Sequence, residues 1–136
     1  PLASARSEKA LLTAAAKRAE RWKKILLESS QQCRRLRLPA LEPLAPPEAA
    51  FAAARSGVRI LLSESPEARP LKRILADLRS AAACLAIGPE GGWTELEFAA
   101  ARAAGFQEAS LGKLILRTET AVIASLSAIN YALASD

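Results

Sequence analysis

The sequence contains no histidine. That excludes an imidazole general base, a histidine metal ligand and any Ser-His-Asp arrangement. Methionine is also absent, so the chain lacks an initiator and reads as a fragment or processed product. There are only two cysteines, Cys33 and Cys84, far apart and without metal-type spacing. A reduced, cytoplasmic protein that holds no metal is the simplest account of them. No run approaches the roughly 18 apolar residues that cross a bilayer, and no signal peptide is visible. The glycines do not fall into a G-x-G-x-x-G dinucleotide pattern.

What is present is ordinary globular material. At 136 residues, with 51% apolar and 24% charged side chains, the chain is one domain with a real core. The charge is unevenly spread. Residues 1–37 hold ten Lys/Arg against three Glu, a net of +7, whereas the remainder holds nine basic and eleven acidic groups, a net of −2. A basic end of this size suits a polyanion such as RNA, or else forms a solvated helix face. Charge alone does not divide the two, because Trp22, Ile25, Leu26 and Cys33 give the same segment an apolar stripe.

Along the chain, Lys17–Leu36 predicts one long helix stopped by Pro39, followed by a proline-bearing connector, 38–47. Pro47–Arg55 predicts a short alanine-rich helix with proline near its first turn. Val58–Leu62 and Ala81–Ile87 are apolar runs of the kind that form strands covered on both faces. Between them, Pro70–Arg79 is helical in pattern. Thr94–Ala104 predicts a helix opened by the T-x-x-E capping box of Thr94 and Glu97 and closed by Gly105. A short strand at Glu108–Leu111 and a last helix at Glu119–Ala134, striped by Val122, Leu126, Ile129 and Leu133, complete the reading. Alternating strands and helices predict an α/β fold with a mainly parallel sheet flanked by helices.

Two stretches organise this pattern: Ile87-Gly88-Pro89-Glu90-Gly91-Gly92-Trp93 and Leu111-Gly112-Lys113-Leu114-Ile115-Leu116-Arg117-Thr118-Glu119-Thr120-Ala121. Each follows a strand, passes through glycine and restarts as a helix. Glycines there permit positive φ and let a ligand approach bare backbone. Two such loops at the ends of neighbouring strands make a small-molecule pocket.

These stretches resemble the two signature loops of the RsmE family, ribosomal RNA uridine-N3 methyltransferases of the SPOUT superfamily. A weaker match lies at Glu28–Arg35 (ESSQQCRR), where Arg34 stands at a position the family more often gives to glycine. The resemblance implies a C-terminal trefoil knot, S-adenosylmethionine as cofactor, small-subunit (16S) ribosomal RNA as partner, and a homodimer. It also implies that residues 1–136 are a SPOUT methyltransferase domain incomplete at its N-terminus, without the family's PUA-like RNA-binding domain.

By that resemblance the methyl donor would be held by Leu62 and Ser63, by Ile87, Gly88, Pro89, Glu90, Gly91 and Gly92, and by Leu111, Gly112, Leu114, Ile115, Leu116, Thr118 and Ala121. Arg117 is the first candidate for catalysis. It would grip a phosphate or favour the deprotonated uracil, unless it is paired with Glu119 or the Glu90 loop. Glu119 is either the base for the N3 proton or a helix-start carboxylate, the second being favoured by the helix dipole. Arg21, Lys24 and Arg35 are the candidate RNA contacts. Arg35 shares a helix face with Glu28 and Gln32, so a surface network is its alternative. Trp22, Trp93 and both cysteines suit packing better than chemistry. A catalytically silent RNA-binding module and a general nucleotide-binding domain remain as other classes of function.

Overall fold

The computed structural model describes residues 1–55, 57–77 and 82–133. Four strands, β1 (Val58–Leu62), β2 (Arg69–Pro70), β3 (Ala83–Ala86) and β4 (Gln107–Ser110), form one sheet in the order β2-β4-β1-β3. Every pairing is parallel, as the near-continuous apolar runs of β1 and β3 and the alternation of strand and helix predict. Side chains alternate across β1. Leu61 faces a core of Phe51, Ala86, Trp93, Ala101 and Phe106. Ile60 faces the opposite core of Leu71, Ile74, Ala109 and Ile129. Helices α2 (Pro47–Ala53) and α4 (Glu95–Ala103) cover the first face, and α3 (Leu71–Ala76) and α5 (Thr118–Leu133) the second. The result is a three-layer α/β/α sandwich.

β4 enters between β1 and β2, which are consecutive in the chain and joined by residues 63–68 alone. That connector therefore steps across the end of β4, and Ser63 N–H donates to Ala109 O at 2.9 Å on the way. β2 has no sequence signature. Two residues are too few for alternation, and its proline is tolerated because β2 is an edge strand.

The largest departure from expectation is α1, which spans Lys9–Gln32 rather than Lys17–Leu36. Its start moves forward because Ala10, Leu11, Leu12 and Ala14–Ala16 are strong helix formers. Its end moves back because the chain turns at Arg34, whose φ is +56°, with Arg35 N–H donating to Ser30 O at 2.8 Å. This is a left-handed helix termination of the kind that glycine favours, and Pro39 plays no part in it. Arg35 thus lies outside the helix, and the expected Glu28-Gln32-Arg35 face does not form. Glu28 instead lies 3.8 Å from Lys24. The apolar stripe of α1 is only partly covered. Trp22 and Leu26 are half-buried, whereas Ile25 and Cys33 are exposed, so Cys33 is not the buried residue expected.

Arg34→Gly is expected to stabilise the fold by about 0.5–1 kcal/mol, relief of left-handed strain outweighing the freedom gained by the unfolded chain. A higher urea midpoint at unchanged slope checks it; an unchanged or lower midpoint refutes it.

The remaining helices keep their expected places with frayed limits. Pro47 sits in the first turn of α2. Glu97 completes the capping box with Thr94, and Gly105 follows α4 at φ +77°. The ends predicted for α3, β3 and α5 (Arg79, Ala81 and Ala134) lie outside the described residues. Along α5 the stripe is unequal: Ile129 is buried, Val122 and Leu133 are half-buried, and Leu126 is exposed. Among the described residues, no helix is long and apolar enough to cross a membrane.

Candidate functional site

In an open parallel sheet, ligands gather beyond the carboxyl ends of the strands. Here β1, β3 and β4 end side by side, at Leu62, Ala86 and Ser110, and the segments that follow them enclose a cavity of about 530 Å³. Each residue expected to hold a small-molecule donor lines this one cavity, from Leu62 and Ser63 through Ile87–Gly92 to Leu111–Ala121.

The first loop leaves β3 and closes a tight turn in which Gly92 N–H donates to Pro89 O at 2.8 Å. Gly92 takes φ +70°, a conformation that side-chain-bearing residues rarely adopt. Gly91 does not share it, so the positive φ allowed for this loop belongs to Gly92. At Gly91 the constraint is space, because an added Cβ would lie 3.0 Å from the Cβ of Arg6. Trp93 anchors the far end. Its ring is buried, meets Phe51 edge-on at 5.7 Å, and donates Nε1–H to Leu62 O at 3.0 Å. That bond ties the first loop to the end of β1. Trp93 is a packing residue, as expected, and it forms part of the cavity wall as well.

α4 starts where this loop ends, and its buried Glu97 binds more than its own cap. Its carboxylate accepts from Thr94 N–H at 2.8 Å, from the Thr94 hydroxyl at 3.0 Å and from Ala5 N–H at 2.9 Å. Burial alone would raise the Glu97 pKa. The hydrogen bonds it accepts, led by the backbone N–H groups of Thr94 and Ala5, together outweigh burial and hold the carboxyl below its ordinary value. The ionised form therefore contributes stability above the unfolded-state value, near 4.5, and that contribution is lost as pH falls through the depressed folded value. Glu97→Gln should be less stable than wild type at pH 7 and should lose less stability on acidification below about 4.5. Urea midpoints at pH 7, 5 and 3.5 check it, and parallel curves would refute it.

The second loop lines the cavity from Leu111 to Thr118, with Leu114 and Ile115 82% and 76% exposed. Arg117 lies at the cavity rim, and among the described residues it forms no ion pair with Glu119 or Glu90. Glu119 is exposed in the first turn of α5 and does not line the cavity, although Thr118 and Ala121 do. Arg21, Lys24 and Arg35 are all exposed. Cys84 stands on β3 in register with Arg59 of β1; burial pushes its thiol pKa up and Arg59 pulls it down. The net rise keeps it protonated at neutral pH, as befits a packed residue.

Arg6, Glu64, Ser65, Trp93, Phe98, Ala109 and Lys113 also line the cavity and were not among the expected residues. Trp93 and Lys113 lie within the two stretches and were within reach of the sequence. Arg6 carries no local signal, since it comes from a segment 85 residues away from the loop it touches.

Backbone-rich loops at the ends of adjacent parallel strands, closing on a mixed-charge cavity, define the small-molecule site of an α/β protein. Residues 1–130 match the RNA methyltransferase domain family, and the chain belongs to that family. Its relatives include the ribosomal RNA small subunit methyltransferase E of a Synechocystis strain, 36% identical over 95% of this chain and 44% of the relative. The protein of that name from Aquifex aeolicus is 33% identical over 93% of this chain and 53% of its own length. Among solved structures, the methyltransferase E of Neisseria gonorrhoeae bound to S-adenosyl methionine superposes with a TM-score of 0.81 at 36% identity, covering 96% of this chain and 53% of that one. A putative methyltransferase from Legionella pneumophila, in complex with the same cofactor, gives 0.80 at 28% identity, covering 97% and 54%. The chain thus spans about half the length of the relatives it matches.

Proposed function

We propose that this chain is the donor-binding and catalytic part of a methyltransferase that moves a methyl group from S-adenosylmethionine to N3 of a uridine in 16S ribosomal RNA. The observation that carries the reading is the convergence of the β1 end and both glycine-bearing loops on one cavity. The residues there suit the donor. Apolar walls from Leu62, Leu111, Leu116 and Phe98 fit a flat heterocycle and a ribose. A rim carrying Glu64, Glu90 and Lys113 offers both signs of charge to a ligand that has an ammonium, a sulfonium and a carboxylate.

When bound, the donor supplies an already activated methyl electrophile, so the protein needs no covalent nucleophile. The chain's own work is alignment and electrostatics. The turn closed by Gly92 fixes bare backbone against the cavity, and Trp93 locks it to β1 so that the two walls keep their spacing. To Arg117, which lines the cavity without a carboxylate partner among the described residues, we assign the stabilisation of charge that develops on a uracil losing its N3 proton. Glu119 we assign to the helix start rather than to catalysis, because it stands off the cavity beside the positive end of α5.

Arg21, Lys24 and Arg35, with the rest of the basic first 37 residues, would meet the RNA backbone in the cytoplasm. We further propose a homodimer, for which the exposed Leu114 and Ile115 of the second loop and Ile123, Leu126 and Tyr131 of α5 provide apolar surface. The knotted path belongs to the same proposal. It is supported by β4 running between two strands that the 63–68 connector joins directly.

Calorimetry of the full-length protein with S-adenosylhomocysteine tests the assignment, with sedimentation reporting its oligomeric state. Saturable binding by a dimer is expected. Folded protein that binds none would favour a silent RNA-binding module, and equal affinity for ATP or NAD a general nucleotide site.

A further inference from the structure

We propose that Arg6 is a positioning residue, which holds the Gly88–Trp93 loop in the shape that receives the methyl donor; the role rests on the donor reading given above. The Arg6 Nη1 donates to two carbonyls of that loop, Gly91 O at 3.0 Å and Trp93 O at 3.2 Å. Those carbonyls flank Gly92, the residue held at φ +70°. One guanidinium therefore bridges the point where the chain reverses. A charged donor on each carbonyl makes a stronger bond than a neutral one would.

The contact is also steric. A Cβ at Gly91 would lie 3.0 Å from Arg6 Cβ and 3.3 Å from Arg6 O, closer than side-chain carbons normally approach their neighbours. The bareness of Gly91 thus serves the approach of Arg6 as much as any ligand. Arg6 is itself fixed on both sides. Ala5 N–H is bound by the buried Glu97 at 2.9 Å, and Ser7 N–H donates to Ser4 O at 3.0 Å. Glu97 thus fixes the α4 cap and the Arg6 segment together, and Arg6 passes that constraint to the turn ahead of the cap.

Without Arg6, the solvent-exposed Glu90-Gly91 turn keeps its own 2.8 Å bond and the Trp93 anchor behind it. Glycine-rich backbone released in this way regains much conformational freedom, which the donor would then have to remove on binding. The expected consequence is a loss of donor affinity out of proportion to any loss of fold stability, since the Arg6 side chain is exposed.

The test uses the full-length protein and S-adenosylhomocysteine as probe. Arg6→Ala should weaken binding on the order of tenfold or more, with little change in thermal midpoint. It should also speed amide exchange at 90–93 without speeding it in the sheet. Arg6→Lys, which keeps a donor and the charge, should recover part of the affinity. Guanidinium ion at low millimolar concentration should restore part of it to Arg6→Ala. Wild-type affinity in Arg6→Ala, or exchange at 90–93 no faster than in wild type, overturns the inference while leaving the proposed function standing. Wild-type protein that binds no S-adenosylhomocysteine overturns both.

Discussion

Arg117→Ala in the complete protein should lower turnover on the order of 10²-fold or more, with donor affinity almost unchanged. The separation follows from charge. A guanidinium that faces the reacting centre, and not the donor's carboxylate, gains nothing from the cationic sulfonium there. It does stabilise negative charge that grows on uracil as N3 loses its proton. If Arg117 only grips an RNA phosphate, the loss should fall on the KM for RNA and turnover at saturation should stay near wild type. Arg117→Lys divides the cases further, because lysine keeps the charge and loses the forked donors. Wild-type kinetics in the alanine variant would remove Arg117 from the mechanism. Single-turnover rates with saturating donor are the measurement.

Trp93→Ala carries the largest expected effect on stability, about 3–5 kcal/mol. The ring is 95% buried, sits against Phe51 and spans the gap between the first loop and β1. Against the roughly 5–15 kcal/mol that holds a domain of this size together, that loss is severe. Trp93→Phe separates packing from tethering. Phenylalanine keeps most of the contact with the core but cannot donate to Leu62 O, so stability should fall by only about 1 kcal/mol. If the tether sets the cavity's width, donor affinity in Trp93→Phe should fall more steeply than stability. Urea unfolding and calorimetry on the same samples decide this, and equal affinity in wild type and Trp93→Phe would reduce the indole to a core residue.

The parts of this molecule that sequence reveals are those whose physics is local. A capping box needs only Thr94 and Glu97 three residues apart, and it formed as spaced. Apolar β-branched and leucine-rich runs such as Val58–Leu62 require cover on both faces, and the parallel sheet follows from that. The two loops were legible because glycine marks where a chain must reverse. What escaped was set by partners remote in sequence. Arg6 gives no hint of Gly91, since nothing in a basic residue states which carbonyl it will meet. β2 exists because β4 offers it an edge, a fact held 40 residues further on. The end of α1 is hidden as well: Pro39 is the visible stop, but a left-handed arginine ends the helix before it.

The place of β4 between β1 and β2 also decides what a shortened chain can do. A ribosome releases β1, β2, α3, β3 and α4 before the residues of β4 have been made. Until then β2 has no neighbour and β1 with β3 is a two-stranded ribbon, a unit of marginal stability in water. Loss of the last 30 residues would therefore not trim the sheet at its margin but remove its middle. A stop codon or a protease cut ahead of Gln107 should yield an aggregating product rather than a smaller folded one. Quality control in the cell would then see this protein as all or nothing.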